Sequence, residues 1–179
     1  HPSRAANLPT ALAVFHFDCA INHGVTGAVR MLQAALGVDV DGARGAAWAT
    51  EHGARSATSL AAVVAGCDAV VTMLPTGVEV RAVLTDGDVV AAASHGLLAI
   101  DMSSADPVGT RELGAELAPH GIQLVDAPVS GGVPRAIEGT LAIMTGGSPE
   151  AVERARPVLA AMGDRLFDVG GLGNGHAMK

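Results

Sequence analysis

Short apolar runs alternate with amphipathic segments along most of the chain. The clearest strand pattern is the continuous apolar run 69–74, which ends at Pro75 and is typical of a strand buried on both faces. Further strands are predicted at 38–40, 97–100, 122–125, 141–144 and 165–169, and helices at 42–51, 60–65, 106–119 and 149–162. This alternation predicts an α/β fold, a doubly wound (Rossmann-like), mainly parallel sheet, with ligands at the carboxyl ends of the strands.

Composition and charge narrow the classes of function. With 49% hydrophobic and 16% charged residues among 179, the chain can bury a core and is not a disordered acidic tail. The net charge of -7 would repel a phosphate backbone, so we expect no nucleic-acid partner. Two cysteines without metal-ligand spacing and no apolar run of about 20 residues predict no metal, no membrane span and a cytoplasmic protein.

Several predicted strands end in residues that can bind a ligand. Asp39 closes the strand at 38–40, where a carboxylate either accepts hydrogen bonds from a ribose or caps the next helix; position alone favours neither. Leu74 and Pro75 end the most apolar strand, and Pro75 is also a common strand terminator. Ser104 follows the strand 97–100 and is either a ligand contact or a helix cap.

The segment 126–133 joins a strand end to a hydroxyl and two glycines, Ser130, Gly131 and Gly132. Exposed amides in such a turn can hold a carboxylate or phosphate, although a plain glycine turn remains the alternative. Nucleophilic hydrolysis is improbable because the pattern Gly-x-Ser-x-Gly is not met around Ser130.

The C-terminal run is rich in glycine and ends in the only lysine of the chain, Lys179. A lysine beside a ligand can move a proton or bond a developing alkoxide, and a surface lysine is the plain alternative. The seven histidines show no metal-ligand spacing, and we interpret them as solvated loop residues.

From Val38 to Lys179 the chain contains five stretches that resemble the β-hydroxyacid dehydrogenase family, in the order and spacing usual for that family. They are 70–75 (VVTMLP), 100–104 (IDMSS), 126–132 (DAPVSGG), 139–144 (GTLAIM) and the pattern Gly-x-Gly-x-Gly-x-x-x-Lys at 171–179. The resemblance implies that Met73, Leu74, Pro75 and Ser104 line a nicotinamide cofactor, with Asp39 favouring NAD over NADP. It also implies that Ser130, Gly131 and Gly132 hold the substrate carboxylate and that Lys179 is the catalytic lysine. Glu79 departs from the asparagine usual in the family.

The resemblance also divides the chain. Residues 38–179 match most of an NAD(P)-binding domain, whereas 1–37 form an atypical segment, with a possible strand at 11–17 and helix at 27–36 but no Gly-x-Gly-x-x-Gly loop. The family continues beyond its lysine into an all-α domain, so we expect that domain to be missing here.

As a member of this family, the chain would take part in hydride transfer between a nicotinamide cofactor and a small 3-hydroxy acid of the 3-hydroxyisobutyrate or 2-hydroxy-3-oxopropionate type. The full-length form would be a homo-oligomer. Two alternatives stay open: an inactive or nucleotide-binding-only fragment, and a related imine or 6-phosphogluconate-type reductase.

Overall fold

The computed structural model describes the backbone of 12–16, 35–39 and 55–56, the single residues 43, 46, 47 and 50, and all of 57–179. Within these residues, strands and helices alternate in the order expected from the sequence. The described part therefore has the α/β organisation predicted above.

A six-stranded sheet forms the centre of the fold, and all of its neighbouring strands are parallel. Its strands are β1 Leu12–His16, β2 Ala35–Asp39, β3 Arg55–Ser56, β4 Ala69–Met73, β5 Leu98–Asp101 and β6 Gln123–Asp126. Their spatial order is β3-β2-β1-β4-β5-β6. The order reverses between β1 and β4, and a doubly wound sheet opens its ligand crevice at the carboxyl ends of the strands at this point.

Short helices follow the strands, and most of them begin at a side chain that caps their free amides. The first four are α1 Leu60–Val64, α2 Gly77–Leu84, α3 Gly87–Ala92 and α4 Pro107–Leu117, which continues into a 3-10 turn at Ala118–His120. Ser59, Thr76, Asp86 and Asp106 accept hydrogen bonds from amides in the first turns of these helices. Each cap fixes where a helix starts relative to the preceding strand.

A second, three-stranded sheet lies after β6. It contains β7 Val129–Ser130, β8 Leu141–Thr145 and β9 Gly163–Asp168, with β7 antiparallel and β9 parallel to β8. Helices α5 Gly132–Glu138, α6 Pro149–Met162 and α7 Asn174–Met178 complete the described chain. One antiparallel bridge between Asp126 and Gly146 connects the two sheets.

Two hydrophobic clusters pack on the central strands. One contains Val71, Leu98 and Ile100 together with residues of β8 and α6, and the other contains Val70 and Ala99 together with residues of α1, α2 and α4. All five residues of β4 are buried, which explains why its sequence is apolar except for Thr72.

The predicted elements after residue 59 are confirmed to within two residues, and α6 has the bounds expected. The predicted helix 27–36 is wrong at its end, because Ala35 and Leu36 belong to β2 and pair with Leu12 and Ala13 of β1. Pairing in the sheet outweighs the helical spacing of the apolar residues there. The rest of that predicted helix lies outside the described residues.

Shortening one buried side chain of β5 tests how tightly this strand is packed. Ile100 is 0% exposed, so Ile100→Ala is expected to lower the free energy of unfolding by about 2–5 kcal/mol. Urea unfolding followed by circular dichroism measures the loss. Val108→Ala is the control because Val108 is 54% exposed; equal losses in the two variants would contradict the described core.

Candidate active site

A row of polar side chains crosses the central sheet near the carboxyl ends of its strands. The register pairs Thr72 of β4 with Asp101 of β5, and Asp101 with Asp126 of β6. All three residues are buried, with exposures of 0%, 2% and 0%. Since residues at one register level of a parallel sheet lie side by side on the same face, the pairing itself brings two carboxylates together.

Asp101 joins the ends of β4 and β5. Its Oδ1 accepts a hydrogen bond from Thr72 Oγ1 at 2.9 Å and one from the backbone N–H of Ser103 at 3.0 Å. The Ser103 hydroxyl oxygen in turn accepts from the backbone N–H of Leu74 at 2.9 Å. Of the two serines after β5, Ser103 therefore has a structural role, whereas Ser104 remains exposed.

Asp126 holds the start of helix α7. Its Oδ1 accepts from the Gly173 N–H and its Oδ2 from the His176 N–H, each at 2.8 Å. Burial raises the pKa of the Asp126 carboxyl, and the two backbone donors together with His176 oppose that rise. The carboxylate satisfies amides that would otherwise lack partners at the helix start.

His176 lies against the same row of side chains. Its Nδ1 is 2.8 Å from Thr110 Oγ1, and its Nε2 is 3.2 Å from the Ser103 carbonyl oxygen. Because a carbonyl oxygen only accepts, Nε2 carries a hydrogen. The ring also lies 3.8 Å from one oxygen of Asp101 and 3.8 Å from one of Asp126.

The interpretation of all seven histidines as solvated loop residues is wrong for His176, which is 6% exposed, and for His16, which is the last residue of strand β1. The His176 ring contacts residues 66 and 73 positions earlier in the chain, so its burial depends on the tertiary fold. The sequence signal that could have found it is its place inside the glycine pattern that ends in Lys179. His95 and His120 are exposed, as predicted.

Lys179 follows α7 and lines a cleft with a volume of about 650 Å³. Asp101, Ser104, Thr110 and His176 also line this cleft. Neighbouring protein atoms desolvate the ammonium group in part, which lowers the pKa of Lys179. Within the part of the chain that the structure describes, the side chain makes no hydrogen bond or ion pair, so it is free to bond a ligand oxygen in the cleft.

The predicted cofactor residues lie around the carboxyl ends of the strands. Met73 is buried at the end of β4, Leu74 is half-buried, and Pro75 is exposed just before α2. Ser104 lines the cleft with Lys179. Asp39 is the last residue of β2 and pairs in register with His16 of β1.

Glu79 has a local role at the start of its own helix. Its Oε2 accepts from the Thr76 N–H at 3.0 Å and from the Thr76 hydroxyl at 2.5 Å, which forms a capping box at the start of α2. The hydrogen bond from the Thr76 hydroxyl is the largest cause that lowers the pKa of Glu79. The side chain is therefore occupied by its own helix.

The predicted carboxylate site lies on the second sheet. Ser130 ends β7, Gly131 precedes α5, and Gly132 is its first residue; all three are exposed. Gly131 and Gly132 have φ of 141° and 63°, conformations that L side chains rarely adopt. Sequence reasoning identified the turn but missed the short helix α5.

Among the described residues, no group of three or more His, Cys, Asp or Glu side chains is arranged to hold a metal ion. In the same part of the chain, no helix combines the length and apolar character needed to cross a membrane.

Comparison with known proteins places this geometry in context. Residues 30–171 match the family model described as the NAD binding domain of 6-phosphogluconate dehydrogenase. The chain is 44% identical over 134 residues to a probable 3-hydroxyisobutyrate dehydrogenase of Mycobacterium tuberculosis, a match that covers 75% of this chain and 45% of the relative. The chain thus spans about half the length of the curated relatives it matches.

Solved structures show the same fold. A Mycobacterium tuberculosis 3-hydroxyisobutyrate dehydrogenase solved with L-serine superposes with a TM-score of 0.86 at 36% identity, covering 96% of this chain and 58% of that chain. The V8 variant of an imine reductase from Myxococcus stipitatus, solved with NAD+, superposes with a TM-score of 0.82 at 21% identity, covering 96% of this chain and 58% of that chain. The imine reductase from Myxococcus stipitatus solved with NADP+ gives a TM-score of 0.83 at 21% identity, with 94% of this chain and 58% of that chain covered. At this identity the imine reductase likeness concerns the fold alone.

The glycines of the C-terminal pattern should differ sharply in tolerance. A Cβ at Gly175 would lie 2.5 Å from the Met144 carbonyl oxygen and 2.8 Å from Asp126 Oδ2, whereas a Cβ at Gly171 would meet nothing within 4 Å. Gly175→Ala is therefore expected to lower the free energy of unfolding by about 1–3 kcal/mol, despite the better helix propensity of alanine.

Thermal and urea unfolding of Gly175→Ala, with Gly171→Ala as the matched control, measure this difference. A Gly175→Ala variant as stable as the control would show that α7 does not pack tightly against β6 and β8.

Proposed function

We infer that this chain, which belongs to the family of the NAD binding domain of 6-phosphogluconate dehydrogenase, is the cofactor-binding part of a β-hydroxyacid dehydrogenase. The family and the relative at 44% identity confirm the resemblance stated from the five motifs. Because the chain covers 45% of that relative, the activity of the whole enzyme is a proposal for this chain.

The observation that carries the proposal is the position of Lys179. Lys179 lines the same cleft as Asp101 and Ser104, which lie at the carboxyl end of β5. Its lowered pKa makes proton exchange easier near neutral pH than for an ordinary lysine. A cleft at strand ends with one partly desolvated lysine suits oxidation of an alcohol to a carbonyl.

The residues at the carboxyl ends of β2, β4 and β5 are suited to contact a nicotinamide cofactor. We propose that Met73, Leu74, Pro75 and Ser104 line the cofactor and that Asp39 accepts hydrogen bonds from its ribose hydroxyls. A carboxylate at Asp39 would repel a 2′-phosphate, so NAD is proposed over NADP. The cofactor, when bound, accepts the hydride.

The chain's own residues would then bind and orient the substrate. Ser130 and the amides of Gly131 and Gly132 hold the carboxylate, because the two glycines have no side chains of their own beside these N–H groups. The neutral amine of Lys179 accepts the proton of the substrate hydroxyl as the carbonyl forms, and the resulting ammonium group donates a hydrogen bond to the carbonyl oxygen.

We propose a small 3-hydroxy acid as substrate, of the 3-hydroxyisobutyrate or 2-hydroxy-3-oxopropionate type. L-serine, which is present in the structure of the mycobacterial enzyme, is also a 3-hydroxy acid and belongs in the test panel. The full-length enzyme would act as a homo-oligomer.

Cofactor binding can be tested on the 179-residue chain. NADH is expected to bind saturably, more tightly than NADPH, and Asp39→Ala should reduce that preference because the ribose loses its acceptor. Nicotinamide fluorescence and thermal shift measure both affinities. Equal affinities for NADH and NADPH would contradict the role of Asp39, and a folded chain that binds neither would contradict the cofactor site.

Lysine substitution tests the chemistry. In the full-length protein, Lys179→Ala is expected to lower kcat by about 10²–10⁴-fold, with the affinity for NAD nearly unchanged, since the lysine acts on the substrate oxygen. Reduction of NAD at 340 nm with the acid panel measures the rate.

Lys179→Arg should restore little activity because a guanidinium does not give up its proton near neutral pH. Arg165→Ala, at an exposed position of β9, is the control with an unaltered rate. A Lys179→Ala enzyme with unchanged kcat would refute the assignment, and NADH binding without turnover of any acid would leave a nucleotide-binding protein.

A further inference from the structure

Helix α7 has only five residues, so it needs an external anchor. The buried Asp126 carboxylate supplies one, because its two oxygens accept from Gly173, which precedes the helix, and from His176 in its first turn. No side chain of the preceding loop caps this helix. The anchor therefore comes from β6, 47 and 50 residues earlier in the chain.

We propose that Asp126 is a positioning residue for Lys179: it fixes the start of α7 against the end of β6 and so sets where the lysine amine lies in the cleft. The proposal rests on the function proposed above only for the chemistry that the lysine performs. The positioning itself rests on the contacts of Asp126.

The anchor has little room to shift. A Cβ at Gly146 would lie 2.5 Å from Asp126 Oδ1, and a Cβ at Gly175 would lie 2.8 Å from Oδ2. Backbone thus packs closely against both carboxylate oxygens. Lys179 is three residues beyond His176, less than one helical turn from the anchored amide.

His176 braces the same helix from its side chain. Its ring reaches Thr110 of α4 and the Ser103 carbonyl after β5, so the backbone of His176 is tied to β6 and its ring to two other elements. Loss of the Asp126 contact would leave the ring contacts but free the helix start. Helix α7 would then be able to pivot about the His176 ring, and this movement would displace Lys179.

An ordinary cap would stabilise the helix without influencing the lysine, and the chain contains such a cap. Asp86 Oδ1 accepts from the N–H groups of Asp88 and Val89 at 3.0 and 3.2 Å at the start of α3. Asp86 is exposed and does not line the cleft. It offers the same chemistry on a helix that does not carry Lys179.

The pKa of Lys179 distinguishes positioning from a simple loss of charge. If Asp126 acted only through its negative charge, replacing it with asparagine would lower the pKa of Lys179 further. If Asp126 positions the helix, the released lysine becomes more hydrated, and its pKa rises toward the ordinary value. The two mechanisms therefore predict changes of opposite sign in the pKa of Lys179 when Asp126 is replaced.

The experiment uses the single lysine of the 179-residue chain. Reductive methylation with ¹³C labels Lys179 and the α-amino group, and NMR titration gives the pKa of each. Asp126→Asn is expected to raise the pKa of Lys179, while Asp86→Asn and the core variant Leu159→Ala, chosen for comparable loss of stability, leave it unchanged. A folded Asp126→Asn chain with an unchanged or lower lysine pKa would overturn the proposal.

Gly175→Ala covers the case in which Asp126→Asn does not fold. This variant keeps the carboxylate but pushes α7 away from it, so the pKa of Lys179 should rise there too, with Gly171→Ala as its control. A folded Gly175→Ala chain in which Lys179 keeps its lowered pKa would also overturn the proposal.

Turnover by the full-length protein separates this inference from the proposed function. Asp126→Asn should lower kcat by about 10²-fold while KM for the cofactor stays nearly constant, since small displacements of a reacting group are costly. A wild-type enzyme that oxidises no acid, but whose lysine pKa responds to Asp126→Asn, would refute the function and keep the positioning role. An active enzyme whose kcat is unchanged by Asp126→Asn would refute the positioning role.

Discussion

The contact between the buried carboxylate of Asp126 and the backbone N–H groups of Gly173 and His176, at the start of α7, connects the central sheet, the second sheet and the lysine. Asp126 also exchanges backbone hydrogen bonds with Gly146, at 3.0 Å from its own N–H and 2.8 Å to its carbonyl. A buried ionisable group is costly unless its oxygens are satisfied, and here backbone donors satisfy both. The surrounding glycines are required because a side chain at Gly146 or Gly175 would occupy the space of the carboxylate.

This contact depends in turn on the parallel register of the sheet. The pairing of β4, β5 and β6 aligns Thr72, Asp101 and Asp126, and the hydroxyl of Thr72 satisfies one oxygen of Asp101. The strands therefore contribute to the site through their alignment as much as through their residue types. A shift of one residue in β6 would turn Asp126 to the opposite face and remove the anchor of α7.

The sequence was informative where local pattern and burial agree. The run 69–74 and the helix 149–162 were predicted well because a fully buried strand and a capped amphipathic helix leave strong local signals. The helix expected at 27–36 failed at Ala35 and Leu36, where pairing with β1 decides the structure. His176 was misjudged because its partners are far away in the chain, and the capping role of Glu79 was missed although Thr76 precedes it by three residues, the spacing of a capping box. The candidate cofactor and substrate residues come from short glycine, proline and lysine patterns in the sequence, and their roles stay predictions.

The backbone bridge between Asp126 and Gly146 joins the two parts of the site that the proposed substrate would contact. In the proposed function, the carboxylate of the acid rests on β7 and α5, while its hydroxyl meets the lysine after α7. Both elements are connected to Asp126. Ser130 of β7 lies four residues after Asp126 in the chain, and the Asp126 carboxylate accepts a hydrogen bond from the backbone N–H of His176 in α7. A substitution that moves this bridge would therefore be expected to disturb the proposed carboxylate site and the lysine together, whereas a substitution of another side chain in the cleft would leave both in place.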